Sequence, residues 1–211
     1  MIDTILPDDR HAYSLPLVQM YRDRKRVFVD QLGWRLKHPG SWLELDDYDN
    51  EAAVYLMARS AEDGSHLGSV RLLPTTGPHM MEGVFPDLCV DGPPCADNIW
   101  EISRLVATTS GTAGARLVRV HRMLALGLVE FALLNDIDSY VLVAESLRVP
   151  ALLSVGWQVT PLCLPTEYEG ELIEALRIHI DVTTLARMRR RLGFDSSVLS
   201  MSAADDVAVA A

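Results

Sequence analysis

Cysteine, positive charge and long apolar runs are all scarce in this chain of 211 residues. The three cysteines, Cys89, Cys95 and Cys163, are too few and too scattered for a disulfide framework or a zinc site, and their odd number favours reduced thiols. No apolar stretch reaches the ~20 residues that cross a bilayer, so no membrane partner is expected. The run near Leu124 to Leu134 is interrupted by Gly127 and Glu130 and reads as a buried helix. Residues 1–10 carry neither a basic start nor a following apolar block, which predicts no export and a cytoplasmic location. Lysine and arginine number 19 against 29 acidic residues, a net charge of −10, which disfavours nucleic acid and acidic protein partners.

What is present is the composition of a soluble globular protein, 49% hydrophobic and 23% charged. One domain is expected over residues 1–200, followed by a small-residue, aperiodic and disordered tail at 201–211. Leu17, Tyr21, Arg24, Phe28 and Leu32 recur at spacings of three and four, which predicts a helix over 14–32. Residues 33–50, rich in Gly, Pro, Trp and Asp, read as a loop. Strands are expected at 53–60 and 67–73, around the turn Glu62, Asp63, Gly64, and then at 99–107, 139–145, 156–162 and 176–182. Helices are expected at 116–135, 148–154 and 184–192, with 74–98 irregular and 108–115 a small-residue loop. A hairpin followed by alternating strands and helices implies the α/β class, a three-layer α/β/α arrangement around a mixed central sheet.

Several charges stand where packing alone would not put them. Arg24 lies on the apolar stripe of its helix; it either snorkels to solvent or serves a buried anion. Glu44, Asp46, Asp47 and Asp49 crowd together beside Trp34 and Trp42. They form either a solvated acidic loop or a cluster for a cation, which aromatic faces also favour. Their spacing lacks the mid-loop glycine and terminal glutamate of a calcium loop, so an organic cation is the better match and no metal is expected. In the strand 99–107, alternation puts Glu101 and Ser103 on one face and Arg104 on the other. Ionised groups in a central strand are costly unless paired, and Arg71 interrupts the preceding strand in the same way. Together these positions describe a polar cleft with paired charges.

The segment from Tyr21 to Phe28, continued by Leu32, Gly33 and Trp34, resembles the N-terminal signature of the LuxI-type acyl-homoserine lactone synthases. That family's pattern has an Arg four residues before a Phe and a Trp six residues later, met here by Arg24, Phe28 and Trp34. It continues with an acidic triad, met by Glu44, Asp46 and Asp49, an Arg within Val70 to Thr75, met by Arg71, and Glu101 followed by Arg104. The resemblance runs over residues 15–195. It implies an N-acetyltransferase-like fold and an acyltransferase that uses S-adenosylmethionine as a substrate, with no tightly bound cofactor. Arg24, Phe28, Trp34, Glu44, Asp46, Asp49, Arg71 and Arg104 would then bind S-adenosylmethionine. Glu101 would be the general base, its burial favouring proton uptake, with Arg104 and Ser103 completing the catalytic set. Both Glu101 and Arg104 can serve one cleft only if a bulge intervenes in their strand or the two faces communicate where the sheet splays.

The acyl donor implied is acyl-CoA or an acyl carrier protein. Carrier proteins are acidic, so their docking calls for exposed basic residues. The short helix 148–154, where the family often carries them, holds only Arg148, while residues 108–116 could cradle a coenzyme phosphate. Acyl-CoA is therefore favoured. The arginines at 187 and 189–191 point the other way, or bind the coenzyme, or complement a helix C-terminus. Acyl contacts are expected from Ser103, Val106, Val143, Ala144 and Leu147. Val143 and Ala144 stand where members making 3-oxo signals often have a Thr, which favours an unsubstituted or branched chain. A plain N-acyltransferase acting on another amine, or a non-catalytic sensor, would use the same fold without the full charge set.

Overall fold

A computed structural model of the chain describes residues 1–34, 41–108 and 114–200. These residues form two compact units. The first comprises Met1–Arg71, Arg104–Gly127 and the segment starting at Ser197; the second comprises Leu72–Ser103 and Leu128–Ser196. The expected tail and the centre of the 108–115 loop, with its phosphate-cradling role, lie outside the described residues.

In the first unit, β1 (Ile2–Ile5) pairs antiparallel with β2 (Val54–Arg59), from Ile2↔Ala58 to Ile5↔Tyr55. This first strand was not expected, because its four residues carry no local pattern. Its partners come from far along the chain: Ile2 N–H donates to Val198 at 2.7 Å and Ser200 N–H donates to Ile2 at 2.8 Å. The helix expected over 14–32 is α1 (Ser14–Arg24) followed by a π-helical stretch, Lys25–Gln31. Leu17, Met20, Arg24 and Phe28 are buried, but the wider π turn carries Leu32 off the stripe, and it is exposed. A spacing of three and four residues does not distinguish the two kinds of turn.

The strand β3 (His66–Pro74) enters the first unit through Gly68, and this position requires a glycine. A Cβ there would stand 2.7 Å from Val120 Cγ1 and 2.8 Å from the carbonyl of Val106. The close approach draws β3 against β4 (Ile99–Ala107) and α3 (Ala115–Leu134). The apolar residues Val120, Leu124, Ala125 and Leu126 of α3 are buried, as the sequence led one to expect.

The second unit contains β5 (Ser139–Glu145), parallel to β4 from Ile99↔Ser139 to Glu101↔Val141. On its other edge β5 pairs antiparallel with β8 (Glu171–His179), which also takes β6 (Gln158–Pro161) and β7 (Thr166–Tyr168). The last strand was expected at 176–182 and lies several residues earlier. Its early part is fixed by a hairpin with β7, whose turn residues Glu169 and Gly170 both have positive φ, 51° and 89°. Its late part is cut off by Asp181, which caps α5 (Val182–Leu192) by accepting the N–H of Thr184 at 2.7 Å. The region expected to be irregular holds a one-turn helix, α2 (Met80–Gly83). The short helix α4 is Val149–Ser154.

Among the described residues eight strands pair in one mixed sheet, ordered β1-β2-β3-β4-β5-β8-β6 with β7 also on β8, and helices flank it, in agreement with the expected α/β class. Among the described residues no helix is long and apolar enough to cross a membrane.

Candidate active site

Loop 41–50, α1, β3 and the second half of β4 bring the anomalous charges of the first unit together. Arg24 is completely buried at the end of α1. Its Nε donates to Glu44 at 2.5 Å and its two terminal nitrogens grip Asp49 at 2.8 and 2.9 Å. Arg71, equally buried, donates to Asp46 at 2.5 and 3.1 Å and lies 2.9 Å from Asp49. Arg104 joins Glu44 at 2.9 Å to Asp46 at 2.6 Å. Three guanidiniums and three carboxylates thus close into a formally neutral network. Each ion costs several kcal/mol to bury, and only such multiple, forked pairing offsets it. The snorkelling alternative for Arg24 is therefore ruled out, and of the four acidic loop residues only Asp47 is exposed.

Aromatic groups complete the network. Tyr55 of β2 donates its hydroxyl to Asp49 at 2.8 Å, and the Tyr21 hydroxyl lies 3.2 Å from that of Tyr55. Phe28 and Trp34 stack with centroids 4.6 Å apart, and the Arg104 guanidinium stands 5.7 and 5.5 Å from their rings. Trp42 instead lies over Arg22 and is largely exposed.

The protonation states follow from this geometry. Burial pushes the Asp49 carboxyl upward, but Arg24 and Arg71 outweigh it and hold it well below the usual carboxylate range. Asp46 is lowered too, with burial opposing and Arg71 and Arg104 prevailing. Burial works against the Arg24 and Arg71 cations, yet their carboxylate partners raise both. Arg104 differs, since for it burial exceeds the support from Glu44 and Asp46 and its pKa is lowered. Burial first, and then Asp49, raises the Tyr55 hydroxyl, which stays a donor.

Arg104 also has a φ of 53°, in the left-handed region that side chains rarely adopt. The residue breaks the two-residue alternation of β4, so its parity relative to Glu101 does not fix its face. In the second unit, Glu101 is buried, and its two carboxylate oxygens accept the N–H groups of Met80 at 3.0 Å and Met81 at 2.6 Å. Those N–H groups open α2, where a helix has donors without intrahelical acceptors. Two of the roughly four lone-pair sites of the carboxylate are thereby engaged.

With this geometry in place, comparison with known proteins is decisive. Residues 9–190 match the family model described as autoinducer synthase. An isovaleryl-homoserine lactone synthase of Bradyrhizobium diazoefficiens is 35% identical over 199 residues, which cover 94% of this chain and 88% of that protein. The chain belongs to the autoinducer synthase family. It is accordingly an acyltransferase. A CoA-dependent acyl-homoserine lactone synthase solved with SAM and isopentyl-CoA is similar at a TM-score of 0.85 and 34% identity, over 95% of this chain and 92% of that one. A second CoA-dependent synthase gives 0.83 and 30%, over 95% and 99%. An acyl-CoA N-acyltransferase from Pseudomonas aeruginosa, at 0.52 and 18% over 84% and 97%, shares the fold alone, which is the N-acetyltransferase-like fold expected.

The residues expected to touch the acyl chain are less gathered in this autoinducer synthase. Val143 packs on a buried cluster of the second unit that includes Met81, Leu88, Cys89, Ile99, Val141, Ile173 and Ala175. Ser103 and Ala144 are half-buried, whereas Leu147 stands 89% exposed on the turn Ser146–Arg148. Val106 is buried in the first unit, its carbonyl beside Gly68. Sequence reasoning missed Tyr55, Tyr21 and the α2 turn. A tyrosine in an otherwise apolar strand was the available signal for Tyr55; the α2 turn left none, since it is one turn long within a loop.

Proposed function

We propose that this enzyme makes an acyl-homoserine lactone, joining the acyl group of an acyl-CoA to the amine of S-adenosylmethionine and then closing the lactone. The observation that carries the reading is the closed Arg24, Glu44, Asp49, Arg71, Asp46, Arg104 network under the Phe28 and Trp34 rings. A sulfonium and an amino-acid zwitterion need anions, cations and an aromatic face held in fixed positions, and this network supplies all three. The relative solved with SAM and isopentyl-CoA supports the same substrates.

Glu101 is assigned the base role, removing a proton from the substrate amine directly or through one water. The neutral amine attacks the thioester carbonyl, the carbon–sulfur bond breaks, and the CoA thiolate leaves with a proton. The developing oxyanion falls to N–H groups at 103–106, the stretch in which Arg104 breaks regular strand geometry. The methionyl carboxylate then attacks its own γ-carbon, and the bond to the sulfonium breaks to release methylthioadenosine. Ser103, Val106, Val143, Ala144 and Leu147 are assigned to the acyl chain.

Acyl-CoA is preferred over carrier protein because the turn 146–148 and the short helix α4 offer an acidic partner a single basic residue, Arg148. Arg148 is paired with Glu145 at 2.6 Å. Arg187, Arg189 and Arg191 are held by the Gly156 carbonyl, Glu130 and the Ser154 carbonyl. The test is to incubate the full chain with S-adenosylmethionine and panels of short acyl-CoAs and acyl carrier proteins, and to measure methylthioadenosine. Release is expected with a short acyl-CoA and faster than with the matching carrier protein. No release with any donor overturns the function, and faster release with the carrier protein overturns the donor.

A further inference from the structure

Behind the guanidinium network, still within the first unit, lies a second polar chain that the proposed chemistry does not use. His66 opens β3 with a side chain wholly closed to solvent. Its Nδ1 lies 2.7 Å from Asp23 Oδ2, and its Nε2 lies 3.0 Å from the Ser69 hydroxyl. The Thr108 hydroxyl donates to the same Asp23 oxygen at 3.3 Å, and Arg26 holds the other Asp23 oxygen at 2.9 Å. The His66 N–H donates to Gln19 on α1 at 3.3 Å.

The order carboxylate, imidazole, hydroxyl is that of a hydrolytic triad, but Ser69 is 1% exposed, which closes its Oγ to a substrate. The chain is therefore read as a fastener. An Nδ1–H donated to the Asp23 carboxylate leaves Nε2 to accept the Ser69 hydroxyl proton, so each bond sets the direction of the next. It joins α1 through Asp23, β3 through His66 and Ser69, and the residue that follows β4, Thr108.

The neighbours of these residues give the fastener a task. Asp23 directly precedes Arg24, and Ser69 stands two residues before Arg71, on the same face of β3. Arg24 and Arg71 come from different elements yet meet at a single oxygen, Asp49 Oδ1, at 2.8 and 2.9 Å. Convergence of that kind needs the spacing of α1 and β3 fixed to within a few tenths of an ångström. Apolar contacts are non-directional and do not set such a spacing by themselves, whereas hydrogen bonds fix both distance and angle.

We propose that Asp23, His66 and Ser69 are positioning residues for the S-adenosylmethionine site, locking α1 to β3 so that Arg24 and Arg71 hold one carboxylate. The proposal rests on the assignment of the network to S-adenosylmethionine. The decisive comparison uses isosteres. His66→Asn keeps a donor at the Nδ1 position, facing Asp23; His66→Gln keeps a polar atom only at the Nε2 position; Asp23→Asn discharges the acceptor.

S-adenosylmethionine affinity is measured by calorimetry on the full chain, with KM for each substrate and thermal unfolding alongside. His66→Gln and Asp23→Asn are expected to weaken S-adenosylmethionine roughly tenfold, the change given by loss of one charge-assisted hydrogen bond, with KM for acyl-CoA unmoved. His66→Asn is expected to restore most of the affinity. Equal behaviour of His66→Asn and His66→Gln, or an equal rise in both KM values, overturns the positioning role. Wild-type enzyme that binds no S-adenosylmethionine overturns the site assignment itself. Wild-type binding matched by all three variants overturns only the fastener.

Discussion

Carboxylates are buried in two ways in this molecule. In the first unit, Glu44, Asp46 and Asp49 are neutralised by three guanidiniums, each acid touching at least two of them or one of them twice. In the second unit, Glu101 is held by the peptide N–H groups of Met80 and Met81. Full ionic pairing fixes a charge permanently and leaves it little chemistry. Peptide N–H donors fix a carboxylate in place and favour its ionised form, the form from which a base starts. The function proposed above places substrate binding on the first kind of burial and proton transfer on the second.

The largest expected effect tests the chemical side of that contrast. Glu101→Gln should slow methylthioadenosine release by about 10²- to 10⁴-fold, the usual weight of a positioned general base, while S-adenosylmethionine affinity stays within about threefold. Equal loss of both would make Glu101 a structural cap. The next test addresses the ionic side. Asp49→Asn removes the charge that two buried guanidiniums share and should lower unfolding free energy by about 3–5 kcal/mol in denaturant titration.

The same residue carries a pH signature. Because folding lowers the Asp49 and Asp46 pKa values, their contribution is complete above the unfolded carboxylate range, about 4, and is lost as pH falls below it. Wild-type stability should therefore drop towards acid pH, and Asp49→Asn should flatten that slope. The smallest effect belongs to Tyr55→Phe, which removes one neutral donor from Asp49 and should cost about 1 kcal/mol with turnover nearly intact. A cost as large as that of Asp49→Asn would mean that the hydroxyl, and not the guanidiniums, holds the loop.

How much of this was legible in the sequence depended on how local its cause was. The strands Ile99–Ala107 and Ser139–Glu145 were read with their observed limits, because composition alone marks a buried strand. Arg24, Arg71, Glu101 and Arg104 stood out because a charge in an apolar frame is costly and calls for a partner. The partners themselves were not readable, since Asp49 reaches Arg24 across 25 residues and Arg104 reaches Glu44 across 60. The π-helical stretch after Arg24 escaped because its hydrogen-bond register leaves almost no mark on the spacing of apolar residues. The hold of Met80 and Met81 on Glu101 uses backbone atoms, which have no sequence signature at all.

Arg104 leaves a final consequence for how this chain can drift under mutation. An L-residue in the left-handed region costs about 1–2 kcal/mol, a cost that Gly avoids and that Asn or Asp softens. Backbone preference at position 104 therefore pulls towards short residues, none of which can span from Glu44 to Asp46. Glycine there would relieve that strain but leave Glu44 and Asp46 each short of one cation, a loss of about 3–5 kcal/mol that outweighs the gain. Stability and the charge network therefore hold the same arginine in place against the backbone's own preference.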